Sequence, residues 1–191
     1  MVKNIAIVRR NGLGDFIVGA IPLYNCILEN SRESYVFYFF LSTLNFPLFK
    51  YFVDEDIDKM AVFEAGNKYF SIISMAYKYR NRIDEGYLTM PDYPKLTGLF
   101  LFLMGVKDIY GYINKSLLAR FTINRGTRSF DAYTSASEHI ALLSIQLYDK
   151  NINKIEKRWY PKFNKSKIKE FELNAKGPFL MVELSNNRKC S

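Results

Sequence analysis

Residues 5–28 read "IAIVRRNGLGDFIVGAIPLYNCIL", and the change of pattern inside them organises the rest of the chain. Residues 4–8, "NIAIV", are β-rich and uncharged, as a strand buried on both faces of a parallel sheet must be. The run stops at Arg9 and Arg10, and Gly12 and Gly14 make a turn. Asp15 follows, and then Ile17, Ala20, Ile21, Tyr24, Ile27 and Leu28 recur at helical spacing. Pro22 lies inside that helix and predicts a kink.

The same alternation continues. Strands are expected at 34–41, 59–64, 85–90 and 108–112, and helices at 70–82, 96–104 and 135–148, the last with a serine cap and Glu138 in its first turn. Residues 113–134 read as irregular and polar, and "GPFLMVELS" (177–185) as a new β-run. Strands alternating with helices predict an α/β fold with a doubly wound, mainly parallel sheet.

Composition narrows the function. Hydrophobic residues make up 49% of 191, enough for a core and too many for a disordered chain. The net charge of +8 is uneven: residues 1–149 hold 16 basic and 15 acidic side chains, whereas residues 150–176 hold 9 and 3. The second stretch is either a solvated lysine-rich linker or a surface for phosphate, anionic lipid or nucleic acid. With two cysteines, Cys26 and Cys190, and one histidine, His139, neither a zinc site nor a disulfide framework is expected. Cys26 reads as a small buried residue and His139 as a structural one. The N-terminus has too short an apolar run for a signal peptide. The longest uncharged apolar run, residues 96–106, is half of what a membrane span needs, so contact with a membrane would be peripheral.

A strand, a Gly-x-Gly turn and a helix suggest a dinucleotide site, but Ile17 stands where the third glycine belongs and residues 34–43 end in no acid. Asp15 would also repel an anion at the helix start. Asp15 therefore has two readings. As a helix N-cap it would accept orphan N–H groups, and Asp15→Asn would cost little stability. As a carboxylate beyond the carboxyl end of the first strand, where open α/β sheets bind ligands, it could take a proton from a hydroxyl. The neighbouring glycines would let a substrate approach the backbone.

Gly14, Asp15 and Pro22, in order and spacing, resemble the opening of the heptosyltransferases of glycosyltransferase family nine. Asp84, Lys95 and Gly111 fall at similar places in a second segment, and "EHIALLSIQL" is similar to the histidine-led helix that closes the family's first domain. The resemblance covers roughly residues 3–148 and 177–185. It implies half of a GT-B fold: an acceptor-binding Rossmann-like domain over 1–148, a basic linker over 149–176, and the start of a truncated donor domain over 177–191. It implies sugar transfer from a nucleotide-sugar donor, ADP-heptose or similar, to a lipopolysaccharide or related glycan in the cytoplasm, with no metal, no other cofactor and no nucleic acid. Asp15 would be the catalytic base. Gly12, Gly14, Lys95, Arg9 and Arg10 would face the acceptor, Arg9 and Arg10 either holding phosphate or closing the strand in solvent. Donor-binding residues stay unassigned, with Lys189 only near a donor-phosphate position. Such a chain alone would be inactive. The competing expectation is a non-catalytic module binding an anionic glycolipid or a partner protein.

Overall fold

The computed structural model describes residues 2–9, 13–30, 34–42, 45–52, 60–64, 69–89, 95–113, 117–128 and 137–162. Six strands, β1 (Val2–Arg9), β2 (Ser34–Leu41), β3 (Met60–Glu64), β4 (Glu85–Leu88), β5 (Asp108–Ile113) and β6 (Arg125–Arg128), form one sheet in the order β3-β2-β1-β4-β5-β6. Every pairing is parallel, with Arg9 opposite Leu41 and Val8 opposite Leu88. The order reverses between β1 and β4, so the chain winds outward from β1 in both directions.

Alternation along the strands divides the core in two. Ile5 and Ile7 of β1, Phe37, Phe39 and Leu41 of β2, and Tyr87 of β4 face one helical layer, made by α2 (Ile21–Asn30) and α6 (Ser137–Gln146). Ala6, Val8, Phe40 and Leu88 face the other, made by α3 (Tyr69–Lys78), α4 (Lys95–Leu103) and α5 (Leu117–Thr122). Aromatic side chains fill both layers edge to face, as in Tyr24–Phe37 at 4.9 Å and Phe40–Phe100 at 5.0 Å.

The first helix carries the expected irregularity in a specific form. A single turn, α1 (Leu13–Asp15), runs into a π-helical segment, Phe16–Ala20, and then into α2. Pro22 has no N–H for the i→i−4 ladder. The register widens just before it, and Ile21 N–H bonds Phe16 O, five residues back. The widened turn thus accommodates the proline.

Three expectations need correction. Residues 113–134 contain α5 and the edge strand β6. Six helical residues are too few to show a period, and the polar "RGTR" pairs only with β5, where an edge strand tolerates polar side chains. The helix expected to reach residue 82 stops at Lys78, because Asn81 adopts φ 59° and donates its N–H to Met104 O at 2.8 Å beside Gly105 at φ 70°. Of the basic stretch 150–176, residues 150–162 are described and are not all solvated: the lysines and Arg158 are exposed, but Ile155 and Trp159 are buried with Cys26, Ala141 and Ile145 behind α2 and α6. The β-run at 177–185 lies outside the described residues.

Gly86 sits where α4 crosses β4. A Cβ there would stand 2.8 Å from Leu101 Cδ1 and 3.3 Å from Val106 Cγ1, both buried. Gly86→Ala is therefore expected to lower stability by about 1–2 kcal/mol in urea unfolding, through overpacking. Cys26 is fully buried and accepts a bond from Asn30 Nδ2 at 3.2 Å. Burial pushes its thiol up to about 11 from 9.0. The thiol stays protonated in the folded state, so its contribution to stability falls as pH rises from 9 to 11. A maleimide at pH 8 is expected to label Cys26 only after unfolding, which peptide mapping would show.

Candidate functional site

The site forms at the carboxyl ends of the three central strands. β1 ends at Arg9, Thr89 follows β4 on one side, and Asn45 lies four residues beyond β2 on the other. Arg9 is only 1% exposed. Its Nη1 donates to Thr89 O at 2.8 Å, its Nη2 pairs with Asp15 Oδ2, and its own carbonyl accepts from Asn45 Nδ2 at 3.2 Å. Asn45 is held in turn by Ser42, whose Oγ and O accept from Asn45 N–H at 3.3 and 3.1 Å. A buried charge requires a partner of opposite sign and hydrogen bonds for its remaining donors. Asp15 and Thr89 supply both here.

Asp15 keeps 30% of its side chain exposed. Its backbone is helical, φ −68° and ψ −26°, and its side chain makes no bond to the N–H groups of the next turn. The N-cap reading is thus overturned: an N-cap residue has an extended backbone, and this carboxylate is turned to Arg9 instead. On its N-terminal side, Gly14 is exposed, and a Cβ built there would meet nothing within 4 Å among the described residues. The carboxylate beside it is partly exposed. It also immediately precedes the π-helical segment, a feature often found at functional sites.

Of the other residues singled out by sequence, Lys95 takes the first position of α4. A crossover helix after β4 begins at the carboxyl edge of the sheet, the edge that carries Asp15. Arg10, Gly12 and Lys189 lie outside the described residues. His139 is the third residue of α6. Arg9 was expected to meet either an anion or solvent; the structure buries it against Asp15. Asp84 and Gly111 are structural: Asp84 Oδ2 accepts from Asn4 N–H at 3.0 Å at the opposite end of the sheet, and a Cβ on Gly111 would press on Ile123 and Leu88.

Two polar groups at this edge had no signal in the sequence. Asn45 Oδ1 and Thr89 Oγ1 are buried and have no hydrogen-bond partner among the described residues. Asn45 and Thr89 are 36 and 80 residues from Arg9 in the chain, and only the sheet order brings them together.

No protein-family model matches the sequence, and no curated protein matches it by sequence. Solved structures do match in fold. The glycosyl transferase family 9 protein from Veillonella parvula is 15% identical with a TM-score of 0.58, over 82% of this chain and 42% of that one. ADP-heptose lps heptosyltransferase II of E. coli is 13% identical with a TM-score of 0.62, over 89% and 49%. E. coli heptosyltransferase WaaC, solved with ADP-2-deoxy-2-fluoro heptose, is 9% identical with a TM-score of 0.55, over 81% and 50%. The chain thus spans half or less of the length of these proteins and shares their fold over that part. The Rossmann-like, doubly wound parallel sheet expected as one half of a GT-B fold is the sheet observed.

Proposed function

We propose that this chain is the acceptor half of a glycosyltransferase that moves a sugar from a nucleotide-sugar donor, of the ADP-heptose kind, to a hydroxyl of a lipopolysaccharide or similar glycan. The observation that carries the reading is Asp15: a partly exposed carboxylate at the carboxyl end of β1, fixed by a buried arginine and next to an exposed Gly14. The fold shared with heptosyltransferases supports it. In this reading the residues over 1–148 bind the acceptor and the donor is held by a second domain.

In this reading the chemistry is a single displacement. An acceptor hydroxyl within reach of Asp15 gives its proton to the carboxylate as its oxygen forms a bond to the anomeric carbon of the donor sugar. The bond from that carbon to the nucleoside diphosphate breaks, its electron pair leaves with the phosphate oxygen, and the configuration inverts. Arg9 does not touch the acceptor; it holds one carboxylate oxygen and so fixes which way the other points. This replaces the role expected for Arg9 from sequence. Gly14 leaves room for the acceptor, and Lys95, at the same sheet edge, is assigned its anionic groups; Arg10 and Gly12 are placed on the acceptor side from the sequence.

The test is transfer of heptose from ADP-heptose to a core-oligosaccharide acceptor by the polypeptide holding this chain and its donor domain. Activity lost with Asp15→Asn supports the reading; acceptor binding without transfer in the unaltered protein would leave a binding module instead. Lys95→Ala is expected to raise the acceptor Kd by roughly tenfold at low salt and by less at high salt, because exposed ion pairs are screened. Titration calorimetry at two ionic strengths would show it.

A further inference from the structure

The helical layer α3–α4–α5 is apolar on the wrong side. Its inward face, with Ile72, Ala76, Phe100, Leu101 and Ala119, is buried on the sheet as expected. Of the ten large apolar side chains left exposed among the described residues, seven lie on the outward face of these three helices. Phe70, Ile73 and Tyr77 recur three and four residues apart, a single stripe along α3. Phe70 is 87% exposed and Tyr77 75%; on α5, Leu117 is 81% and Phe121 70%. Phe102 of α4 joins the two sides. It packs on Phe121 with ring centroids 5.0 Å apart, and it lines a groove of about 330 Å³ against Ile73 and Tyr77. Scattered exposed hydrophobes need no explanation, but a contiguous patch does.

Among the described residues, the charges on α3, α4 and α5 and in the turn that follows α3 have one sign. Lys78, Arg80, Arg82 and Arg120 are exposed at its borders. No acidic residue occurs in α3, α4 or α5. Asp84, just before β4, and Asp108, which starts β5, lie at the sheet's amino edge and are paired with Lys107 and Arg125. A second copy of the chain docked symmetrically here would set these cations against their own copies. An anionic surface would not. Among the described residues no helix is long and apolar enough to cross a membrane.

From the aromatic stripe and its basic rim we infer that this face docks on an anionic phospholipid bilayer, the rings entering the headgroup region and the cations meeting lipid phosphates. The inference does not rest on Asp15. It is compatible with the proposed reaction, since a bilayer against the helical layer leaves the sheet edge that carries Asp15 uncovered.

The test is sedimentation of the full chain with phosphatidylcholine vesicles, with and without phosphatidylglycerol. Binding is expected only with the anionic lipid and should weaken with salt. Two variants alter exposed residues only: Phe70→Ser/Tyr77→Ser/Phe121→Ser, and Arg80→Glu/Arg82→Glu/Arg120→Glu. Each is expected to lower the vesicle partition coefficient at least ~10-fold. The sole tryptophan, Trp159, is buried away from this face, so unchanged emission shows that each variant is folded. Three outcomes overturn the inference: no binding to anionic vesicles, binding that both variants retain (which would place it on the basic stretch 150–176), or a dimer that the aromatic variant dissociates.

Discussion

Asp15→Asn is expected to lower sugar transfer by ~10²–10⁴-fold, the usual contribution of a positioned general base. Asparagine keeps the shape of the side chain and an oxygen for Arg9, but it cannot take a proton near neutral pH. The loss should fall on kcat, with the acceptor KM nearly unchanged, because the proposed reading assigns acceptor binding to other groups. Gly14, Lys95 and the sheet edge remain in place in this variant. Single-turnover transfer measured beside acceptor binding would separate the two effects. Transfer at close to the parent rate would remove Asp15 from the chemistry and leave the Arg9–Asp15 pair a structural device.

The second large effect is on stability, and it runs against the expectation from sequence. An N-cap aspartate is replaced by asparagine at little cost. Here the carboxylate offsets the charge of an arginine that is 1% exposed. Asp15→Asn removes that charge from beside a buried guanidinium and is expected to cost about 2–3 kcal/mol. That lies below the 3–5 typical of a fully buried pair because Asp15 is partly solvated. Arg9→Met should cost a similar amount, since it takes a donor from Thr89 O and the partner from Asp15. The double variant Arg9→Met/Asp15→Asn carries no charge at either position and should recover part of the loss, with a coupling of about 1–3 kcal/mol in urea unfolding. Additive losses would mean that the pair contributes nothing as a pair. The double variant also guards the catalytic test: it should be folded and still inactive.

Much of this was legible in residues 5–28 alone. The uncharged run before Arg9 marks a central strand, because only a strand covered on both faces excludes polar residues at every position. The glycine turn, Asp15 and Pro22 place a carboxylate at that strand's carboxyl end and predict a disturbed helix. Strand and helix order, and with them the parallel sheet, followed from local periodicity, which neighbouring residues carry.

What local pattern could not carry was contact across the sheet. Nothing near Arg9 in the chain says that its guanidinium turns inward, and a charged residue ending a strand is ordinarily solvated. Its burial depends on Thr89 and Asn45, brought to either side by the order β2-β1-β4. The same distance effect hid β6, whose polar residues form a strand only because β5 offers an open edge. It also hid the apolar stripe of α3. Phe70, Ile73 and Tyr77 satisfy a helical period as well as Ile72, Ala76 and Tyr79 do. A helix apolar on both sides does not specify which side packs inward. The sheet decided that, by burying Ile72, Ala76 and Tyr79, the last against Phe40 of β2, and it left Phe70, Ile73 and Tyr77 to the solvent.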